Sequence, residues 1–82
     1  MRNKEADWLS NYLYFIGRKY PFVLMDLLES YIFDKRDIQI MVERYINHKT
    51  IDEISLIVHL ESRQVQNIKH KTLQKLINTK LA

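Results

Sequence analysis

The sequence predicts an all-α fold, a small bundle of about five helices with a C-terminal helix-turn-helix, on three observations. The 82-residue chain holds one glycine and one proline, too few turn-formers for a β-rich fold. Apolar residues recur along it at three- and four-residue spacing, the period of one helix face. Thr50 and Glu53 form a capping-box pair that opens a short apolar-faced segment, and a longer amphipathic segment follows after a break at residues 59–61. A chain of this size makes a single domain, 1–82, with a small core, in the range where association often adds stability.

Taken in order, residues 3–20 form the first helical segment, with Trp8, Leu9, Tyr12, Leu13, Phe15 and Ile16 on a broad apolar and aromatic face. Gly17 and the Tyr20-Pro21 step are expected to end it, because proline disfavours a helical residue before it and suits the first turn of a new helix. The second helix, about residues 21–32, is apolar on most sides, with Asp26, Glu29 and Ser30 as a narrow polar stripe. Such a helix lies at the centre of a bundle or is covered by another molecule. Asp34 caps the third helix, which buries Ile38, Met41, Val42, Tyr45 and Ile46 and exits at residues 47–49. The fourth begins at Thr50, runs about nine residues and turns Ile54, Ile57 and Val58 inward. The fifth, about residues 62–79, buries Val65, Ile68, Thr72, Leu73, Leu76 and Ile77.

Helices three to five make the tri-helical core a helix-turn-helix requires, since the last helix is too polar on one side to stand alone. Residues 34–82 are therefore read as that core, and residues 1–33 as an additional helical pair that packs on it or joins two chains. For the latter role the candidate interface residues are Trp8, Tyr12, Phe15, Phe22, Leu24 and Leu28.

The outward side of the fifth helix carries Arg63, Gln64, Gln66, Asn67, Lys69, His70, Lys71 and Gln74, long donors and amides able to reach phosphates and base edges. From residue 61 onward five Lys/Arg stand against one acid, +4, whereas the first sixty residues hold eight bases and nine acids, −1. The whole net charge of +3 thus sits where a nucleic-acid backbone would be met. An ordinary helical hairpin with a solvated polar face would spread that charge more evenly.

Residues 50–76 resemble the helix-turn-helix of bacterial sigma-70 region four, the part that reads the minus-35 promoter element. Thr50, Glu53 and Ile54 match in the first helix and Leu60 in the turn. Val65, Ile68, Lys71, Leu73, Lys75 and Leu76 match in the second helix, without a gap. The run DKRDIQIMVERYINHKT is similar to the helix that precedes them, so the resemblance covers residues 34–76, about half the chain. The LuxR-type domain has a similar pattern over the same stretch. Two departures stand out: His59 occupies the turn position where the family has glycine, and Glu61 followed by Ser62 replaces its Thr or Ser cap. At the family's base-reading positions this chain has Ser62, Arg63, Gln64, Gln66 and Asn67, so a consensus minus-35 element is not the expected target. The chain also lacks room for the polymerase-binding and minus-10-reading parts of a whole sigma factor.

Other chemistries find little support. Without cysteine there is no disulfide framework, thiolate zinc site or thiol nucleophile, which fits a reducing, cytoplasmic setting. His48, His59 and His70 lie eleven residues apart, which is not a metal-ligand spacing, and no metal or cofactor is expected. Asp52-Glu53 is the one adjacent acidic pair and Glu53 is taken up in capping, so no catalytic residues are assigned and an enzyme is not expected. No apolar run approaches the ~18 residues of a membrane span, and the N-terminal residues lack the apolar stretch of a signal peptide. The nine aromatics lie mostly outside the basic helix, which favours core packing or a protein interface over a single-strand stacking platform.

The expectation is a small sequence-specific regulator of transcription that binds double-stranded DNA, with Ser62, Arg63, Gln64, Gln66 and Asn67 contacting bases. Lys49, Thr50, Lys69, His70, Lys71, Gln74 and Lys75 are the phosphate-contact candidates. One such unit covers a short site, so a homodimer is expected. The alternative is a protein-interaction module that binds RNA polymerase, a sigma factor or another protein without a DNA target of its own. An RNA-binding adaptor ranks third, since nothing specifies single-strand capture. High Lys, Ile and Asn with little Ala and Gly is compatible with an AT-rich genome, and a short domain of this kind with a phage or mobile element.

Overall fold

The computed structural model describes residues 4–78, as an all-α bundle of five helices: α1 (Lys4–Lys19), α2 (Pro21–Tyr31), α3 (Lys35–Tyr45), α4 (Ile51–Val58) and α5 (Ser62–Leu76). The expected start of α1 at residue 3 and end of α5 at residue 79 lie outside the described residues. Each boundary has a local cause. Tyr20, held off helical geometry at φ −137° and ψ 64° by the proline that follows, separates α1 from α2. Asp34 caps α3, its Oδ1 accepting from the N–H groups of Arg36 at 2.8 Å and Asp37 at 3.3 Å. The end of α3 closes on itself: the N–H groups of Ile46 and Asn47 reach the Val42 carbonyl, and that of Lys49 reaches the Glu43 carbonyl at 2.9 Å. That closure needs a left-handed residue, and His48 supplies it at φ 57°.

Two apolar clusters hold the helices together. The smaller is the tri-helical core of α3, α4 and α5, where Ile40, Ile54 and Val65 are fully buried and Ile51, Val58, Leu60 and Ile68 close around them. The larger joins α1 and α2 to α3 and the C-terminal half of α5, through Leu9, Leu13, Leu24, Leu28, Ile32, Met41, Tyr45, Leu73, Leu76 and Ile77. Leu24 and Leu28 therefore do not belong to an outer interface as expected. They lie on the inward side of α2 and are completely buried in the chain's own core, while Phe22 and Val23 stay exposed on its other side.

Gly17 does not end α1. The helix continues through it to Lys19, and the glycine instead lets α1 cross the end of α3 backbone to backbone. A Cβ at that point would overlap the Tyr45 carbonyl oxygen and stand 3.1 Å from Leu24 Cδ2. Beside this crossing Tyr45 is fully buried, its hydroxyl within 2.7 Å of Ser10 Oγ and its ring 4.6 Å from that of Tyr14. The Arg44 guanidinium lies 5.3 Å from the Tyr14 ring centre and donates from Nη1 to the Lys49 carbonyl at 2.9 Å, which fastens the α3–α4 connection to α1.

Two predictions follow from the crossing. Gly17→Ala, which in an open helix interior would stabilise by about 0.5–1 kcal/mol, should here destabilise by roughly 1–3 kcal/mol, because the obstacle is backbone; urea unfolding measures the sign. Burial, reinforced by Tyr14 and opposed by the Ser10 hydrogen bond and Arg44, pushes the Tyr45 hydroxyl up to about 12. The unfolded tyrosine ionises near 10.0, so the folded chain holds this proton more tightly. Stability should be full below pH 10 and fall by up to about 3 kcal/mol towards pH 12. Tyr45→Phe should flatten that alkaline limb while losing about 1 kcal/mol at neutral pH with the hydrogen bond.

Candidate nucleic-acid interface

The turn between α4 and α5 fixes how α5 is presented. Thr50 and Glu53 form the expected capping box, with Glu53 N–H donating to Thr50 Oγ1 at 3.1 Å and Thr50 N–H to Glu53 Oε1 at 2.9 Å. Hydrogen bonding from Thr50 to the carboxylate, chiefly from its N–H, holds the Glu53 carboxyl below its ordinary range. His59 ends α4 in the left-handed region at φ 60° and ψ 42°, doing what glycine does in the resembled family. Leu60 then turns back into the small core, and Glu61 caps α5, its N–H donating to Gln64 Oε1 at 3.0 Å. Ser62 Oγ donates to Asp52 Oδ1 at 2.5 Å, tying the first turn of α5 to the first turn of α4. Ser62 is thus a latch between the two helices, half-buried and engaged, and stands apart from the other base-contact candidates.

At about 100° per residue, the exposed residues of α5 fall into two adjoining rows. Arg63, Asn67 and His70 form one, and Gln64, Lys71 and Lys75 the other. Gln66 is exposed but stands seven residues before Leu73, over the edge of the buried stripe and away from Gln64 and Asn67. Gln74 continues the first row, half-buried, with its Nε2 3.3 Å from Asn78 Oδ1. Lys69 does not share the outward strip. It stands four residues from both Val65 and Leu73, on the buried stripe itself, and is half-buried. Burial and the nearby Arg44 charge lower its pKa, with Asp7 opposing them.

Between α3 and α5 the surface forms a shallow groove lined by Arg36, Leu60, Gln64, Asn67, Ile68 and Lys71. It brings three of the predicted residues together and adds Arg36, which the sequence reading passed over. Arg36 is exposed in the first turn of α3, and only the tertiary packing shows that this turn lies against α5. The same packing places Asp37 near Lys75. Burial and the Asp34 charge raise the Asp37 carboxyl, while Lys75 and Arg36 pull it down. Lys49 and Thr50 lie at the start of α4, the end that the Asp52–Ser62 bond holds beside the start of α5.

Of the remaining interface candidates, Trp8, Tyr12, Phe15 and Phe22 are exposed, and none of them lines this groove. Among the described residues no helix is long and apolar enough to cross a membrane, and no three His, Cys, Asp or Glu side chains are grouped to hold a metal ion. In comparisons with protein-family models, curated proteins and solved structures, nothing matches the chain. The sigma region four resemblance accordingly rests on its own residues, and the structure shows a small five-helix bundle consistent with a helix-turn-helix-like arrangement.

The turn yields a direct test. His59→Gly should stabilise the chain by about 1 kcal/mol, because a side chain in the left-handed region costs roughly that much and glycine escapes it. Chemical denaturation of the two proteins measures it, and a loss of stability would show that the imidazole makes compensating contacts.

Proposed function

We propose that the chain is a sequence-specific double-stranded DNA-binding regulator of transcription that lays α5 in the major groove. The observation carrying this reading is the strip where Arg63, Gln64, Asn67 and Lys71 stand exposed on one side of α5, with Arg36 of α3 completing the groove. Arg pairs with guanine, and Gln and Asn pair with adenine, through two hydrogen bonds each. Lys71, Lys75 and Arg36 supply phosphate contacts, and Lys49 with Thr50 anchors the backbone at the start of α4. Lys69 is left out of this contact, because it is half-buried on the inward stripe of α5 between Val65 and Leu73.

The second reading, a protein-interaction module for RNA polymerase, a sigma factor or another protein, draws on the exposed Trp8, Tyr12 and Phe15 of α1. Selection of random double-stranded DNA, followed by a salt titration on the enriched site, separates the two. A regulator should enrich a defined motif, and log K should fall steeply and linearly with log salt. Asn67→Ala should then relax preference at one base pair by about 1–3 kcal/mol. Lys71→Glu with Lys75→Glu should weaken binding to every sequence and lower the salt slope by about two. Binding without a motif near ~10⁻⁵ M, or a preference for folded RNA as competitor, would reject the proposal.

A further inference from the structure

Along α1 stand Trp8, Tyr12 and Phe15, 59, 44 and 52 % exposed, with Trp8 and Tyr12 stacked at 5.4 Å and their planes 4° apart. They form a ridge. Beside it, between α1 and α2, runs a groove of about 220 Å³ walled by Leu9, Ile16, Val23, Leu27 and Tyr31, with Leu76 of α5 also lining it and Tyr12 as the shared edge. Ridge and groove are adjacent, both apolar, and neither belongs to the α5 strip.

We propose that a second copy of this chain covers this face, the ridge of each copy seated in the groove of the other. The two-fold axis runs parallel to α1 and α2, between ridge and groove. This inference does not rest on the DNA reading and stands on three features of the surface.

The first is area. An aromatic side chain presents 150–250 Å² when fully exposed, so at the observed exposures these three and Val23 offer roughly 400 Å² of apolar surface. A standard interface takes about 800 Å² from each partner, a little over half of it apolar. The patch therefore matches the apolar share of one such interface. The second is self-complementarity. A two-fold interface must use one patch against itself, and a ridge lying next to a groove of its own length satisfies that condition.

The third is charge. Lys19 ends the ridge, its Nζ 5.8 Å from the Phe15 ring centre, with Arg18 beside it, whereas Asp26 and Glu29 are exposed along α2. Rotation about an axis parallel to the helices lays α1 of one copy antiparallel along α2 of the other, at the same height. Lys19 of each copy then faces Asp26 of the other, so every contact occurs twice. An anionic lipid surface is a poorer match, because one rim of the patch is acidic.

Sedimentation equilibrium of the full chain without DNA, over micromolar to submillimolar concentrations, tests the proposal. The chain should dimerise, and Val23→Glu, on an exposed groove wall, should raise the dissociation constant at least about tenfold, since both copies carry the change. Lys19→Glu and Asp26→Lys should each weaken the dimer several-fold, and the two together should restore it, because the swap rebuilds both ion pairs. All three positions are exposed, and unchanged helical circular dichroism confirms that each variant is folded. A chain that stays monomeric throughout, a dimer indifferent to Val23→Glu, or a double variant no tighter than the singles would overturn the inference. Each result is independent of whether DNA selection yields a motif.

Discussion

The structure depends on one stripe of α5 that is buried from end to end but belongs to two cores in turn. Val65 and Ile68 pack against Ile40 and Ile54 in the tri-helical unit, and Leu73, Leu76 and Ile77 pack against the leucines of α1 and α2. A helix of fifteen residues with one polar side has little stability of its own in water, so its order comes from this continuous burial. The three-helix unit alone would hold only the N-terminal half of the helix. The α1–α2 pair holds the rest, and so becomes part of what keeps the exposed strip in one orientation.

The functional surface follows from that division of labour. With the inward side of α5 committed along its length, the residues left outside are those whose spacing carries them away from Val65 and Leu76. Arg63, Gln64, Asn67 and Lys71 are outside for that reason, and the first turn of α3 adds Arg36 because α3 packs against both halves of α5. The Ser62–Asp52 bond and the capping box at Thr50 fix the two helix starts relative to each other. A surface assembled from three helices is thereby held by contacts outside the strip, apart from the Gln64 side chain, which also caps α5.

Much of this was legible in the sequence, for identifiable reasons. Caps are local, so Thr50, Asp34 and the proline after Tyr20 announced their helix boundaries, and the break at residues 59–61 announced the turn. His59 stands where the resembled pattern has glycine, and it takes the left-handed conformation that glycine tolerates best. Lys69 has the residue type of a phosphate contact but the helical angle of the buried stripe, four residues from both Val65 and Leu73, and the angle decides its place. Gly17, Arg36 and the burial of Leu24 and Leu28 could not be read from periodicity, which gives the width of a face but not the neighbour that covers it. Each of those depends on which helices meet across the bundle.

The crossing at Gly17 has a mechanical consequence. Where two helices touch through side chains, rotamer changes allow one to slide or roll on the other by small amounts. Here α1 meets the end of α3 through main-chain atoms, with no side chain between them to yield. The contact leaves α1 little room to slide along α3 at this point. The α1–α2 pair thus sits in one fixed position against α3, and α3 in turn packs on both halves of α5, so the strip rests on a base that is set rather than sliding.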